Sequence, residues 1–424
     1  MQNNQPPDPQ PASAADAQGR HMLAALRHRD FRLLWFGQLV STIGDQMQMI
    51  AISWHIYVLT GSTIALGAIA LSRTVPFMLL SIIGGAFADA VERRRLLIVT
   101  QSALMAVTVM LVASTIAGFE SPWIIYVATF LAGAASAFDA PARQALVPSL
   151  VPRDELANAL AMNTLLRQTA SVFGPGLGGI AIAQLGLGAT YGINAVTFLA
   201  VLLALMAMQP RPIVGRTQES TWQRLIAGLT YTRREPMLLY PLLLDFVTRL
   251  VGSPRSLLPV FVKDIYRVGP EALGWLTASS SVGAVLGGLT LGAIREVRWP
   301  IAVMFAAYAI EGASGVGFAA SSTIEIGCAM LMLSGMCNVV GEVVRNTIAQ
   351  LKTPDHLRGR TTALNSMLAQ GGPGLGQFEA GVVASQLGPV GTVAFNGVAS
   401  IAVTALFALL PSMRKNAGKR LEEL

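Results

Sequence analysis

Apolar residues along this chain do not alternate with polar ones. They come in long runs, each closed by a short polar or Gly/Pro-containing break, and twelve can be marked: 33–59, 64–88, 96–118, 122–141, 157–184, 189–208, 238–262, 272–294, 300–320, 323–347, 362–387 and 391–411. A run of this length crosses about 30 Å of hydrocarbon as an α-helix, which satisfies its own backbone groups where no water can. The ten-residue alternation of a membrane barrel is missing. The pattern therefore predicts an all-α membrane protein of twelve transmembrane helices. Two segments interrupt it. Residues 1–20 are Pro, Gln, Asn, Ala and Asp without an apolar core, and predict a disordered tail. Residues 211–236 form a long, largely polar segment in which Trp222, Leu225, Ile226 and Leu229 fall at i, i+3, i+4 and i+7, a spacing that predicts a short surface-lying amphipathic helix in a linker.

The breaks themselves repeat. The stretch Arg143–Asn163, RQALVPSLVPRDELANALAMN, returns as Arg345–Asn365, RNTIAQLKTPDHLRGRTTALN, with Arg143/Arg345, Pro152/Pro354 and Asn163/Asn365 in register at a shift of 202 residues. The same shift superposes Gly174 on Gly376 and Gly179 on Gly381, and Gly84-Gly85 matches Gly287-Gly288 at 203. Such self-similarity predicts two related halves. The expected organisation is a six-helix bundle over 21–210, the linker 211–236, a second six-helix bundle over 237–412 and a C-terminal tail from 413. An even number of helices per half makes the repeat parallel.

Composition agrees: 53% of residues are hydrophobic, 12% are charged, and the mean hydropathy is +0.55. This is too apolar for a soluble domain. Charge then orients the helices. Of thirty Lys and Arg, twenty-three fall in the two tails and in the alternate breaks around 93–95, 143–153, 211–234, 295–298 and 352–360, whereas only Lys263 and Arg267 fall in the opposite set. By the positive-inside rule both termini and the linker are expected in the cytoplasm, and the net charge of +7 is ascribed to an anionic leaflet rather than to nucleic acid. Cys328 and Cys337, both in the tenth run, are expected as small packing residues, neither bridged nor metal-bound.

Ionisable groups inside membrane helices are costly and mark function. On the first run Gln38, Ser41, Asp45, Gln48 and His55 share one stripe; on the seventh, Asp245, Thr248, Arg249, Gly252 and Arg255 form a comparable one, with Asp245 and Arg249 at i, i+4. Arg73, Arg167, Glu311, Glu342, Arg345 and Glu379 complete the set. Mutually neutralising pairs would explain any one of these. The whole set is what a solute path with proton coupling requires, and Asp45 and Glu379, without a basic partner on their own helix, are the expected proton carriers. Gly174-Pro175-Gly176-Leu177-Gly178-Gly179 predicts tight packing and a kink, with no preceding strand to make it a dinucleotide loop.

The stretches FRLLWFGQLVSTIGDQMQ, LTGST, GGAFADAVERRRLL, FDAPARQALVPSLVPRDELANA, SLLPVFVKDIY and TPDHLRGRTTALNS with GQFEAG resemble, over nearly the whole length, the major facilitator superfamily of transporters. Within it they resemble the bacterial exporters that include the enterobactin exporter and macrolide efflux proteins. The superfamily's loop signature is matched at Gly85, Asp89, Arg93 and Arg94 and departs at Ala90 and Glu92. The resemblance implies a cytoplasmic gate, here Gly85, Asp89, Arg93, Arg94, Asp139, Arg143 and Arg345, with Asp89 and Arg143 replacing a pair made inside the motif in relatives. The helix-five antiporter signature is matched only in its Gly-Pro-x-x-Gly-Gly core, with Ala170 where a glycine stands in the family.

The reading implied is a secondary active exporter in a bacterial inner membrane, monomeric and without cofactor, moving a siderophore or drug outward against protons. Gln38, Gln48, His55, Arg73, Arg167, Asp245, Arg249, Arg255, Glu311 and Glu342 are its expected cavity residues, and the arginines suit an anionic solute. A lipid or lysolipid flippase and a non-transporting membrane sensor are the rivals. An enzyme is not expected, since the aqueous breaks hold no nucleotide loop, metal cluster or nucleophile arrangement.

Overall fold

The computed structural model describes residues 24–209, 229–251, 254–294 and 297–419. The N-terminal tail, most of the linker with Trp222, Leu225 and Ile226, Gly252 and the Asp89 side chain lie outside the described residues. The long helices are α1 Arg29–Thr60, α2 Thr63–Ala90, α3 Arg93–Ile116, α4 Pro122–Leu146, α5 Leu156–Ala207, α6 Pro236–Val251, α7 Pro270–Ala293, α8 Pro300–Ala319, α9 Ile324–Lys352 and α10 Asp355–Ala408, with a short α11 Pro411–Asn416 after them. There is no strand among the described residues.

Local chemistry sets the ends. Helix α1 stops at Gly61, whose φ of 60° is left-handed and whose N–H returns to the Tyr57 carbonyl. Two residues later α2 starts, with the Ser62 hydroxyl accepting from the Ala65 N–H. Pro122, Pro270 and Pro300 open α4, α7 and α8, where a missing N–H costs nothing.

Eight stretches among the described residues are long and apolar enough to cross a membrane. Two of them, Arg153–Ala207 and Gly371–Ala408, each cover two of the expected runs. The breaks expected near 185–188 and 388–390 are not open loops: in α5 only Gly186 (φ 83°) leaves helical geometry, and in α10 only Gly388 (φ 71°). A single glycine turns the chain because it alone tolerates that φ, and the hydroxyls of Thr190 and Thr392 return to the carbonyls of Gly186 and Gly388 at 2.8 Å each. The runs 33–59 and 238–262 fall outside the eight: the first carries a polar stripe, and the regular helix in the second is only 16 residues long. The second is also irregular: after α6 the chain continues as a 3-10 turn at Pro254–Leu257, one α-turn at Leu258–Val260 and a π-turn at Phe261–Ile265.

Helix packing divides the molecule. Helices α1 to α5 pack on one another, as do α6 to α10, and the two sets meet chiefly where α5 lies on α7 and α2 on α10. Small residues let these backbones close: a Cβ at Gly274 would strike Pro175 and Gly176, and one at Gly67 would strike Gln377 and Phe378.

Three apolar cores follow from this packing. One lies at the end carrying the Gly61 turn and is shared by both sets, with Ile56, Leu66, Ile125 and Tyr191 joining Leu257, Phe261, Leu276, Phe318 and Ala380. At the opposite end, where Arg93–Arg95 sit, the cores are separate. Phe31, Leu34, Leu97, Leu146 and Phe198 belong to the first set, and Met237, Leu244, Ile301, Tyr308 and Val344 to the second.

Candidate functional site

Between the two sets lies a cavity of about 310 Å³. The second set builds most of its wall, through Arg249, Arg255, Ser280, Ser281, Glu311 and Asn338, and the first contributes Gln168 and Ser171 from α5. Leu258, Leu276 and Leu331 give it an apolar side. The irregular turns after α6 place Arg255 on this wall, which suits the rule that broken backbone at membrane depth lines a cavity.

Behind the wall the second set holds a charge cluster. Asp245, 2% exposed, accepts on Oδ1 from Arg249 Nε at 3.0 Å and from the Tyr308 hydroxyl at 2.9 Å, and on Oδ2 from Arg345. Arg249 reaches on to Glu342 at 3.1 Å. Glu311 instead accepts from the Asn338 amide at 3.0 Å. Arg345, expected at the cytoplasmic gate, is 3% exposed and pairs with Asp245.

Several polar groups of the first set pair within it. Gln48 Oε1 accepts from Thr108 at 3.0 Å and from Asn194 Nδ2 at 2.7 Å. Asp139 accepts from Thr100 at 3.0 Å, from Gln101 at 2.7 Å and from Arg143 of its own helix. His55, 2% exposed, has its Nδ1 3.0 Å from the Tyr191 hydroxyl and its Nε2 3.6 Å from Glu120. Gln38, Gln48 and His55 are thus buried inside the first set and absent from the cavity wall. Asp45 is half-buried, with the Asn194 amide and the Arg143 and Arg73 guanidinium groups close enough to act on its carboxyl. Glu379 of α10 accepts from Asn396 at 3.3 Å. Arg167, exposed, donates to Thr164 at 3.3 Å.

Of the expected gate residues, Arg93 and Arg94 cap helices. Arg93 donates to the Ala145 carbonyl at 2.8 Å, and Arg94 to those of Leu205 and Met206 at 2.6 and 3.0 Å, so the cations sit on the negative C-terminal ends of α4 and α5. The Gly174–Gly179 segment faces α1 and α7: added Cβ atoms at Gly174, Gly178 and Gly179 would meet Gln46, Met47 and Pro270. At the Gly61 end the two sets are joined by polar contacts the sequence pattern did not single out. The Tyr57 hydroxyl donates to Asp264, and Lys263 Nζ lies 5.5 Å from the Tyr57 ring centroid. Their signal was a Lys and an Asp at the aqueous edge of an otherwise apolar run. Thr108, Asn194 and Tyr308 gave only the weaker signal of single polar groups on apolar helices.

Comparison with known proteins places this geometry. The enterobactin exporters EntS of Salmonella typhimurium and of Escherichia coli O127:H6 are each 24% identical over 90% of this chain and 92% of theirs. The fold is shared with a bacterial homologue of the human lysosomal transporter Spinster (14% identity, TM-score 0.69, 93% of this chain and 98% of that one). It is shared also with the nucleoside transporter NupG (12%, 0.71, 91% and 99%) and a bacterial homologue of the iron transporter ferroportin (16%, 0.66, 90% and 99%). A family model described as transmembrane secretion effector matches residues 20–421. A polar cavity between two packed helix sets, without strands among the described residues, is the architecture of a transporter, and this multi-pass membrane chain belongs to the transmembrane secretion effector family of the major facilitator superfamily.

Proposed function

We propose that this protein exports a small amphiphilic solute, a siderophore or a drug, across a bacterial inner membrane in exchange for protons. It crosses the membrane twelve times, as two six-helix bundles related by a parallel repeat. The matching Gly186 and Gly388 turns, 202 residues apart and each closed by a threonine four residues on, support the repeat. The observation that carries the reading is the unequal division of the cores. One end is sealed by apolar side chains of both bundles, the other is split between two cores, and the polar cavity lies between the bundles. Alternating access needs this asymmetry and its mirror image.

The split end carries Arg93, Arg94, Arg95, Arg143 and Arg153, so the positive-inside rule assigns it to the cytoplasm, together with both termini. The structure is then open inward. Reporter fusions that are active only outside the cytoplasm should give signal after residues 62, 187 and 268 and none after 94 or 225. Signal after 225 would overturn the orientation and the even number of helices per bundle.

Asp45 and Glu379 are the proposed proton carriers: both are half-buried, and Glu379 is hydrogen-bonded by the neutral Asn396 amide. Asp45→Asn mimics a permanently protonated carboxyl. In proteoliposomes, efflux driven by a pH gradient should fall about a hundredfold while gradient-free exchange of the same solute persists, a loss of about 2.7 kcal/mol of coupling. Undiminished gradient-driven efflux in Asp45→Asn, with loss in Glu379→Gln, would place the carrier on α10 alone. Loss of neither would sink proton exchange.

A further inference from the structure

The four membrane-embedded arginines expected to favour an anionic solute are not equivalent in the fold. Arg249 is held by Asp245 and Glu342. Neither Arg73 nor Arg167 is on the cavity wall. Arg255 is on that wall and exposed to the cavity, and among the described residues it makes no ion pair or hydrogen bond. An ionised guanidinium facing a cavity at membrane depth without a carboxylate is costly unless water or an anion meets it. Glu311 puts a carboxyl on the same wall, bonded to the Asn338 amide and carrying no basic partner within salt-bridge distance among the described residues. Its ionised form repels a second anionic group. Leu258, Leu276 and Leu331 offer an apolar surface beside the charged pair.

We infer that the cavity selects an amphiphilic monoanion, with Arg255 receiving its single charged group, Glu311 excluding dianions and the leucines taking the apolar body. The inference rests on the reading of this cavity as the solute's path. At about 310 Å³ the cavity lies at the lower end of small-molecule sites, so it takes a compact solute or one charged arm of a larger one. Arg255 is a specificity residue by this argument. Its guanidinium fork matches a planar carboxylate or an ionised catechol through paired N–H donors.

The test uses two probes of nearly the same shape, salicylate and its neutral amide salicylamide, titrated calorimetrically into the full-length protein in lipid nanodiscs. Salicylate should bind about tenfold or more tightly than salicylamide, the step that one charge-assisted contact supplies. Arg255→Gln should erase the preference, and Arg255→Lys should keep part of it. The Arg255→Gln protein should remain monodisperse and melt as the parent does, since no ion pair within the described residues is lost. Phthalate, a dianion of similar size, should bind weakly to the parent and more tightly to Glu311→Gln.

Equal affinity for the two probes, no binding of either at millimolar concentration, or a preference that survives Arg255→Gln each overturns the inference. Binding is read without any gradient, so the outcomes separate. A charge preference without pH-driven efflux would sink proton-coupled export and leave the monoanion site standing, and the opposite pattern would do the reverse.

Discussion

Replacing Asp245 by asparagine is expected to cost about 3–5 kcal/mol of folding stability, the largest effect of any single isosteric change in this protein. Asp245 is 2% exposed and neutralises two cations, Arg249 and the equally buried Arg345, while Tyr308 donates to the same carboxylate. Asparagine keeps the shape but offers one acceptor where two were used, and it leaves a buried arginine uncompensated. Arg249 retains Glu342; Arg345 retains only Asn346 at 3.3 Å. The unpaired charge is therefore that of Arg345, and the double variant Asp245→Asn/Arg345→Gln should recover much of the loss. That recovery is the interaction term of a double-mutant cycle. Thermal unfolding in detergent reads it. A single variant that melts with the parent, or a double variant worse than the sum of the two singles, would show that the cluster is hydrated and contributes nothing to stability.

Loosening the contact at the Gly61 end is expected to shift the balance of conformers. Tyr57 comes from the first bundle and Asp264 from the second, so their hydrogen bond exists only while that end is closed. Hydrogen bonds to charged groups contribute about 1.5–3 kcal/mol, and 1.4 kcal/mol is a factor of ten in a population. Tyr57→Phe removes the hydroxyl and keeps the ring beneath Lys263, so the cation–π contact at 5.5 Å survives and the change isolates the hydrogen bond. The outward-open fraction should rise about tenfold. Spin labels at Ile64→Cys and Val268→Cys, both exposed and on opposite bundles, report the separation in a background lacking Cys328 and Cys337. Distance distributions that stay unchanged in both Tyr57→Phe and Asp264→Asn would reduce the contact to surface decoration.

The helices and most of their ends were legible because a bilayer leaves a chain few options: runs of about twenty apolar residues must be helices. The turns at Gly186 and Gly388 fall inside the expected Gly/Pro-containing breaks, but a glycine among leucines and alanines marks a turn without telling how few residues it takes. Polar stripes were legible as faces, but periodicity says nothing about what a face meets. The stripe of Gln38, Gln48 and His55 meets the other helices of its own bundle, whereas Arg249 and Arg255 meet the cavity. The partner of Arg345 lies 100 residues away at Asp245, a distance over which no local spacing rule operates. The cations at 93 and 94 were legible as a basic break. Their attachment to the carbonyls of Ala145, Leu205 and Met206 depends on how helices line up at the end of the bundle.

The shared core at the Gly61 end gives the proposed switch a thermal character. To open that end, Ile56, Leu66 and Tyr191 must part from Phe261, Leu276 and Phe318 and let water in between. Wetting apolar surface raises the heat capacity by about 0.45 cal/K/mol for each square ångström. The hydrophobic closure is mainly entropic near room temperature and weakens on cooling. In this conformer the split end has no comparable seam among its described residues, its two cores being separate. Cooling therefore weakens the seam that holds the Gly61 end shut in this conformer.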